Sequence, residues 1–144
     1  MKPAHFIAQL DEQRIVAAIA EAERKTSGEI RVYISHKARH DVMSAAQQRF
    51  IKLNMAKTRH RNGVLIYFAP QARKFAILGD VAAHAKCGEA FWQEIARTMT
   101  EHLKRDQYTD AILFAVEKAG ALLAEHFPPG PDDQNELPNE IAGD

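Results

Sequence analysis

The chain has 144 residues, 46% hydrophobic and 26% charged, which fits one domain with a core large enough to fold without disulfide or metal staples. No apolar run approaches the ~20 residues needed to cross a bilayer, and the first residues do not resemble a secretory signal. Equal numbers of basic and acidic residues argue against a nucleic-acid-binding protein, which is usually basic overall. The lone cysteine, Cys87, excludes an internal disulfide, so we expect a cytoplasmic location.

The first predicted elements are a helix and a strand. Asp11 is a good N-cap for a helix with Ile15 and Ile19 on its apolar side. The charged residues of this helix are expected to face water: Glu12, Glu21, Glu23 and Lys25. Residues 29–35 then alternate polar and apolar side chains, which predicts a strand with one face inward.

A second helix and a β-hairpin follow. Asp41 can cap a helix whose apolar stripe ends at Leu53. Residues 64–69 form a continuous apolar run, typical of a central strand covered on both faces. Residues 70–73 predict a turn, after which residues 74–78 return as an antiparallel partner.

The remainder of the body is helical, with apolar residues at helical spacing from Phe91 to Leu103 and from Ile112 to Leu123. The order helix, strand, helix, strand, strand, helix, helix predicts an α/β fold: a small mixed β-sheet with helices packed on its faces, a Rossmann-like sandwich. Strands 29–35 and 64–69 should be parallel. We assign residues 1–127 to this domain and residues 128–144 to an acidic, proline-containing tail.

The charges are unevenly distributed along the chain. The last 17 residues hold five acids and no Lys or Arg, whereas residues 37–61 are strongly basic. The basic segment could bind an anion or could simply be a solvated helix face and loop. The tail is predicted to fold back over this segment, loosely unless Leu137 or Ile141 finds an apolar groove.

Four segments together resemble one known family. They are Thr26-Ser27-Gly28-Glu29-Ile30, Arg61-Asn62-Gly63-Val64-Leu65-Ile66, Arg73-Lys74-Phe75-Ala76-Ile77-Leu78-Gly79-Asp80 and Phe91-Trp92. This ordered set resembles the TPM domain, named after a thylakoid-lumen protein, a photosystem repair protein and an acetylcholine-receptor modulator. The ending over residues 127–138 further resembles the free-standing bacterial subgroup.

The resemblance implies a mixed sheet between helices and two functional labels attached to some members, acid phosphatase activity and calcium binding. Many members carry an acid just before the Asn-Gly pair that opens the central strand. This chain has Arg61 there, and a cation in place of a metal ligand argues against carrying over either label.

The hairpin also predicts a metal site without reference to the family. Its two strands should bring Asn62 and Asp80 together at the open end, where Glu29 begins the parallel strand and Glu89 can return. Such oxygen ligands suit Ca²⁺ or Mg²⁺. The alternative is that Asp80 and Glu89 are acids that cap or begin helices.

Two further groups of residues have weaker chemical interpretations. The loop containing Arg59 and Arg61 could present guanidinium groups to a phosphate, or could be an ordinary helix-to-strand connection. His84 and Cys87 could belong to a zinc site, or to a nucleophile whose thiol pKa is lowered ahead of a helix. A third interpretation is that Cys87 is an incidental small residue.

Two functions remain open from the sequence. The first is a binding or regulatory module for an unknown protein partner, stabilised by a divalent ion. The alternative is a metal-assisted acid phosphatase acting on phosphate monoesters, for which no convincing nucleophile is visible. Nucleic-acid binding is disfavoured because the basic segment lacks stacking aromatic residues. We expect a monomer.

Overall fold

A four-stranded mixed sheet packed between helices forms the part of the chain that the computed structural model describes, residues 2–130 and 137–144. The helices are α1 (Pro3–Ala8), α2 (Glu12–Arg24), α3 (Val42–Lys52), α4 (Val81–Cys87), α5 (Glu89–Lys104) and α6 (Tyr108–His126). The strands are β1 (Glu29–Ile34), β2 (Gly63–Ala69), β3 (Lys74–Gly79) and β4 (Ala142–Gly143). Short 3-10 helices cover Met55–Lys57 and Pro70–Ala72.

The strands lie in the order β3-β2-β1-β4. β1 pairs in parallel with β2, with Glu29 opposite Gly63, and β3 returns antiparallel to β2. The predicted α/β fold, the parallel pair and the hairpin are therefore confirmed. β4 was not predicted; it pairs in parallel with β1 and comes from the tail.

Aspartate side chains cap the N-termini of α2 and α3. The Asp11 carboxylate accepts a hydrogen bond from Arg14 N at 3.3 Å, and the Asp41 carboxylate accepts one from Ser44 N at 3.1 Å. Each bond satisfies an N–H group that has no partner within its helix. Both predicted N-caps are confirmed. No helix of the described residues is both long and apolar enough to span a membrane.

Both faces of β1 are buried, although the alternating sequence predicted one inward face. Ile30, Val32 and Ile34 join the core beneath α2, α5 and α6. The opposite face is also covered, because α3, the 3-10 helix at Met55–Lys57 and Leu137 pack against it. Its polar residues are consequently buried, with Glu29 only 2% exposed and Arg31 only 8% exposed. Two ionisable side chains thus lie inside the protein.

The described part of the tail docks against β1. Leu137 is buried in the second core, and Ile141 packs partly against the first. At the end of the tail, the Asp144 carboxylate accepts hydrogen bonds from Ser35 Oγ at 2.8 Å and His36 N at 2.5 Å. Leu137 thus occupies the kind of apolar groove that the sequence analysis required. The tail acids Asp132, Asp133 and Glu136 lie outside the described residues.

Candidate cation site beside the parallel strands

The open end of the hairpin brings together three of the four predicted ligands. Asp80 N donates to Gly63 O at 2.8 Å, which places Asp80 next to Asn62, and Glu29 lies opposite Gly63 on β1. Glu89, in contrast, is exposed as the first residue of α5. Within the described ranges, no group of three or more His, Cys, Asp or Glu side chains is arranged to hold a metal ion.

The Asp80 carboxylate is engaged by protein groups. Arg61 Nε donates to Oδ2 at 2.7 Å, and Arg61 Nη2 donates to Oδ1 at 2.8 Å. Val81 N also donates to Oδ1, so Asp80 is the N-cap of α4. The hydrogen bonds and charge of Asp80 raise the pKa of Arg61. The geometry therefore matches the helix-cap alternative, and a cation at Asp80 would have to displace Arg61.

The predicted anion-binding residues differ in their surroundings. Arg61 directs its guanidinium to Asp80 and adopts a left-handed backbone with φ 51°, whereas Arg59 is exposed. An Arg–carboxylate fork uses the donors that would otherwise bind a phosphate. Arg61 is thus committed to an internal ion pair in this structure.

A pair of carboxyl groups, Glu23 and Glu29, lies at the start of β1. Glu23 Oε2 accepts a hydrogen bond from Ile30 N at 2.7 Å, and the Glu29 carboxyl lies close enough to act on Glu23 electrostatically. Burial raises the pKa of Glu23 to about 8, assisted by the nearby Glu29 and opposed by the Ile30 hydrogen bond. At neutral pH the pair therefore holds a proton, because two ionised carboxylates in contact repel each other.

The sequence predicted that the Glu23 side chain faces water, and this prediction is wrong. The connection from α2 to β1 spans only residues 25–28, so the last turn of the helix lies over the start of the strand. Glu23 is consequently half-buried. Two acids flanking so short a connection are the signal in the sequence that could have indicated this pair.

Asn62 lies one residue before Gly63, which pairs with Glu29, and its side chain holds a buried oxygen. Its side chain is 1% exposed, and its Nδ2 donates to Ser27 Oγ at 3.1 Å. Its Oδ1 is buried and has no hydrogen-bond partner among the residues that the structure describes. Gly28 allows this close packing, because a Cβ there would lie 2.9 Å from Leu123 Cδ1 and 3.3 Å from Asn62 O. Buried polar atoms are normally satisfied, so this oxygen has capacity for a ligand.

A cavity of about 360 Å³ opens beside the acid pair. Glu23, Ser27, Glu29 and Asn139 contribute oxygen-bearing side chains to its lining. Arg24 also lines it, but its Nη2 contacts Glu21 Oε2 at 2.5 Å. Carboxylate, hydroxyl and amide oxygens are the ligands that Ca²⁺ and Mg²⁺ prefer. Several oxygen-bearing side chains of this kind thus line the cavity.

Cys87 does not have the environment of an activated thiol. It is the last residue of α4, and burial raises its pKa to about 11. An activated cysteine needs a lowered pKa, so this environment favours the interpretation of Cys87 as an incidental small residue over the nucleophile with His84 as its base.

Comparison with known proteins identifies the family. The family model described as TPM domain matches residues 1–122. The chain belongs to the TPM-domain family. This TPM domain is also similar to the NMR structure of the BA42 protein from the psychrophilic bacterium Bizionia argentinensis, with a TM-score of 0.84 and 38% identity over 92% of each chain. Among curated proteins, no sequence matches this chain. The family resemblance found in the sequence is thereby confirmed.

Proposed function

We propose that this TPM domain is a binding module that takes up a divalent cation, Ca²⁺ or Mg²⁺, between Glu23, Glu29 and Asn62. The buried carboxyl pair supports this proposal most strongly. Ser27 lines the same cavity as Glu23 and Glu29, and its Oγ accepts a hydrogen bond from Asn62, whose own Oδ1 is buried without a partner among the described residues. Glu29 and Asn62 belong to the ligand set predicted from the sequence, and Glu23 replaces the helix-end acids Asp80 and Glu89.

The cation would take the place of the proton that the two carboxyl groups hold. Either ion neutralises their mutual repulsion, but a divalent cation can engage both ionised groups at once. Because the proton competes with the cation, affinity should increase from pH 6 to pH 9, through the Glu23 pKa of about 8.

Amide chemical shifts during separate Ca²⁺ and Mg²⁺ titrations at pH 8.5 test this proposal. We expect shifts at residues 23–30 and 62–63, and at least a tenfold loss of affinity in Glu23→Gln. Glu21→Gln, on the same helix and exposed, is the matched control and should bind like the wild type. A flat response, or shifts confined to Asp80 and Glu89, would contradict the placement at Glu23.

The alternative derived from the sequence, a metal-assisted phosphatase, would use the same cation to polarise a phosphoryl group. Its test is turnover of an aryl phosphate from acidic to neutral pH in the presence of Ca²⁺ or Mg²⁺. Turnover that is lost in Glu23→Gln would favour the enzyme over the binding module. The proposed binding module is compatible with a protein partner. The proposed cytoplasmic location rests on the lone cysteine, Cys87.

A further inference from the structure

Arg31 is a buried cation on the face of β1 that packs against α3. Its side chain is 8% exposed, and its Nε has no hydrogen-bond partner within residues 2–130 and 137–144. Burial lowers the pKa of Arg31, and the charges of Glu140 and Glu23 oppose this effect only in part; neither acid forms an ion pair with Arg31 in the described part of the chain. A buried guanidinium without a close anion is destabilising, so an anion is expected to approach it.

The cavity beside Arg31 contains other groups suited to an anion. It measures about 580 Å³ and is lined in part by Lys52, Lys57 and Thr58. Thr58 is 5% exposed, and its Oγ1 is buried with no partner among the described residues. Leu137 and Pro138 of the tail form another wall. Three cationic residues and a threonine thus line one cavity.

We propose that this cavity binds a phosphate group, either as inorganic phosphate or as the dianion of a phosphate monoester. Arg31 would supply a planar guanidinium, Thr58 a hydroxyl donor, and Lys52 and Lys57 two mobile positive charges. A tetrahedral dianion can accept from all these donors simultaneously. Glu140, the exposed acid that acts on Arg31, offsets one of the three positive charges and leaves an excess.

This site differs from both earlier hypotheses. It shares no lining residue with the cavity beside Glu23 and Glu29, although the charge of Glu23 acts on Arg31. It also differs from the phosphate loop predicted at Arg59 and Arg61, because the guanidinium of Arg61 is engaged by Asp80. Arg31 was not predicted as a site residue, because its strand was expected to expose one face.

Titration of the full chain with inorganic phosphate at constant ionic strength, followed by amide shifts, tests the proposal. We expect shifts at Arg31, at residues 52–58 and at Leu137. Lys52→Ala combined with Lys57→Ala should weaken binding at least tenfold. Both lysines are exposed, so this variant should still fold. Lys86→Ala combined with Lys104→Ala removes two exposed lysines elsewhere and should leave affinity unchanged.

Two additional measurements make the test more specific. If the Arg31→Met variant folds, it should no longer show the phosphate-induced shifts. If it does not fold, the comparison between the Lys52/Lys57 variant and the Lys86/Lys104 variant tests the proposal. Phenyl phosphate should bind more tightly at pH 8 than at pH 5, because its second pKa is about 6. If phenyl phosphate binds more tightly than inorganic phosphate, the ligand is a phosphate ester. If the two bind equally, the ligand is free phosphate. Equal loss in the two lysine pairs, or identical shifts with chloride, would overturn the proposal.

Discussion

At the scale of single residues, the protonation state of Glu23 links stability to pH. Its pKa is raised in the folded protein to about 8, from an ordinary value of 4.5. Between these values the folded state binds more protons than the unfolded state. The contribution of Glu23 to the free energy of unfolding should therefore be highest below about pH 4.5 and should decrease as the pH rises towards 8.

Glu23→Gln tests this dependence directly. Glutamine can still accept the hydrogen bond from Ile30 N but carries no charge, so the variant should gain stability relative to the wild type as pH rises. We expect about 1–3 kcal/mol of relative gain between pH 5 and pH 8.5, allowing for solvent in the neighbouring cavity. Urea denaturation across this pH range, without divalent ions, measures it.

The matched control for this prediction is Glu21→Gln. Glu21 is exposed and pairs with Arg24 and Lys25, so its replacement should change stability by ~0–1 kcal/mol with little pH dependence above pH 6. If both variants showed the same pH profile, the buried pair would not be the origin of the effect.

Residues that follow local rules were predictable, and residues that depend on distant packing were not. Asp11 and Asp41 cap helices because each lies just before an amphipathic segment. Glu23 and Arg31 look like surface residues in the sequence, since their burial depends on elements that pack over them from elsewhere. The predicted metal ligands were brought together only in part, because Arg61 already neutralises Asp80.

At the scale of elements, Asp80 joins the hairpin to α4. It is 6% exposed, caps the helix and accepts a bidentate fork from Arg61. Asp80→Ala should lose both the cap and the charged hydrogen bonds, about 2–4 kcal/mol in total. Asp41→Ala, which removes a cap without such an ion pair, should lose only about 1 kcal/mol. Urea denaturation compares the two variants, and equal losses would contradict a stabilising role for the Arg61 contact.

The tail strand depends on Leu137. Leu137→Ala should remove much of the apolar contact that anchors β4. Truncating a buried leucine to alanine typically lowers the free energy of unfolding by about 2–5 kcal/mol. The amide of His36, which donates to Asp144, should then lose at least tenfold of its protection in hydrogen exchange. Ile51→Ala is the control, because Ile51 is 66% exposed. Unchanged protection of His36 would show that Leu137 does not hold the tail.

Long elements with strong patterns were predictable from the sequence. The apolar run of β2, the returning strand β3 and the periodic faces of α5 and α6 follow directly from side-chain spacing. α1 has six residues and β4 has two, and neither is long enough to give a periodic pattern. The pairing of β4 with β1 is a tertiary effect without a local signal.

At the scale of the whole molecule, the tail passes beside both proposed sites. Asn139 lines the cavity next to Glu23 and Glu29, while Leu137 and Pro138 line the cavity next to Arg31. The two proposals therefore assign different chemistries to the polar residues near the start of β1, with acids at one cavity and cations at the other. Deleting residues 128–144 should alter both binding reactions, whereas Leu137→Ala should affect the phosphate cavity more strongly.

The most direct test of the cation proposal is the number of protons released when the cation binds. Calorimetric titration of Ca²⁺ or Mg²⁺ in buffers of different ionisation enthalpy gives this number. Because the carboxyl pair holds a proton at neutral pH, we predict about one proton released at pH 7 and close to none at pH 9.5. Binding without proton release at pH 7, or no binding at either pH, would contradict the account.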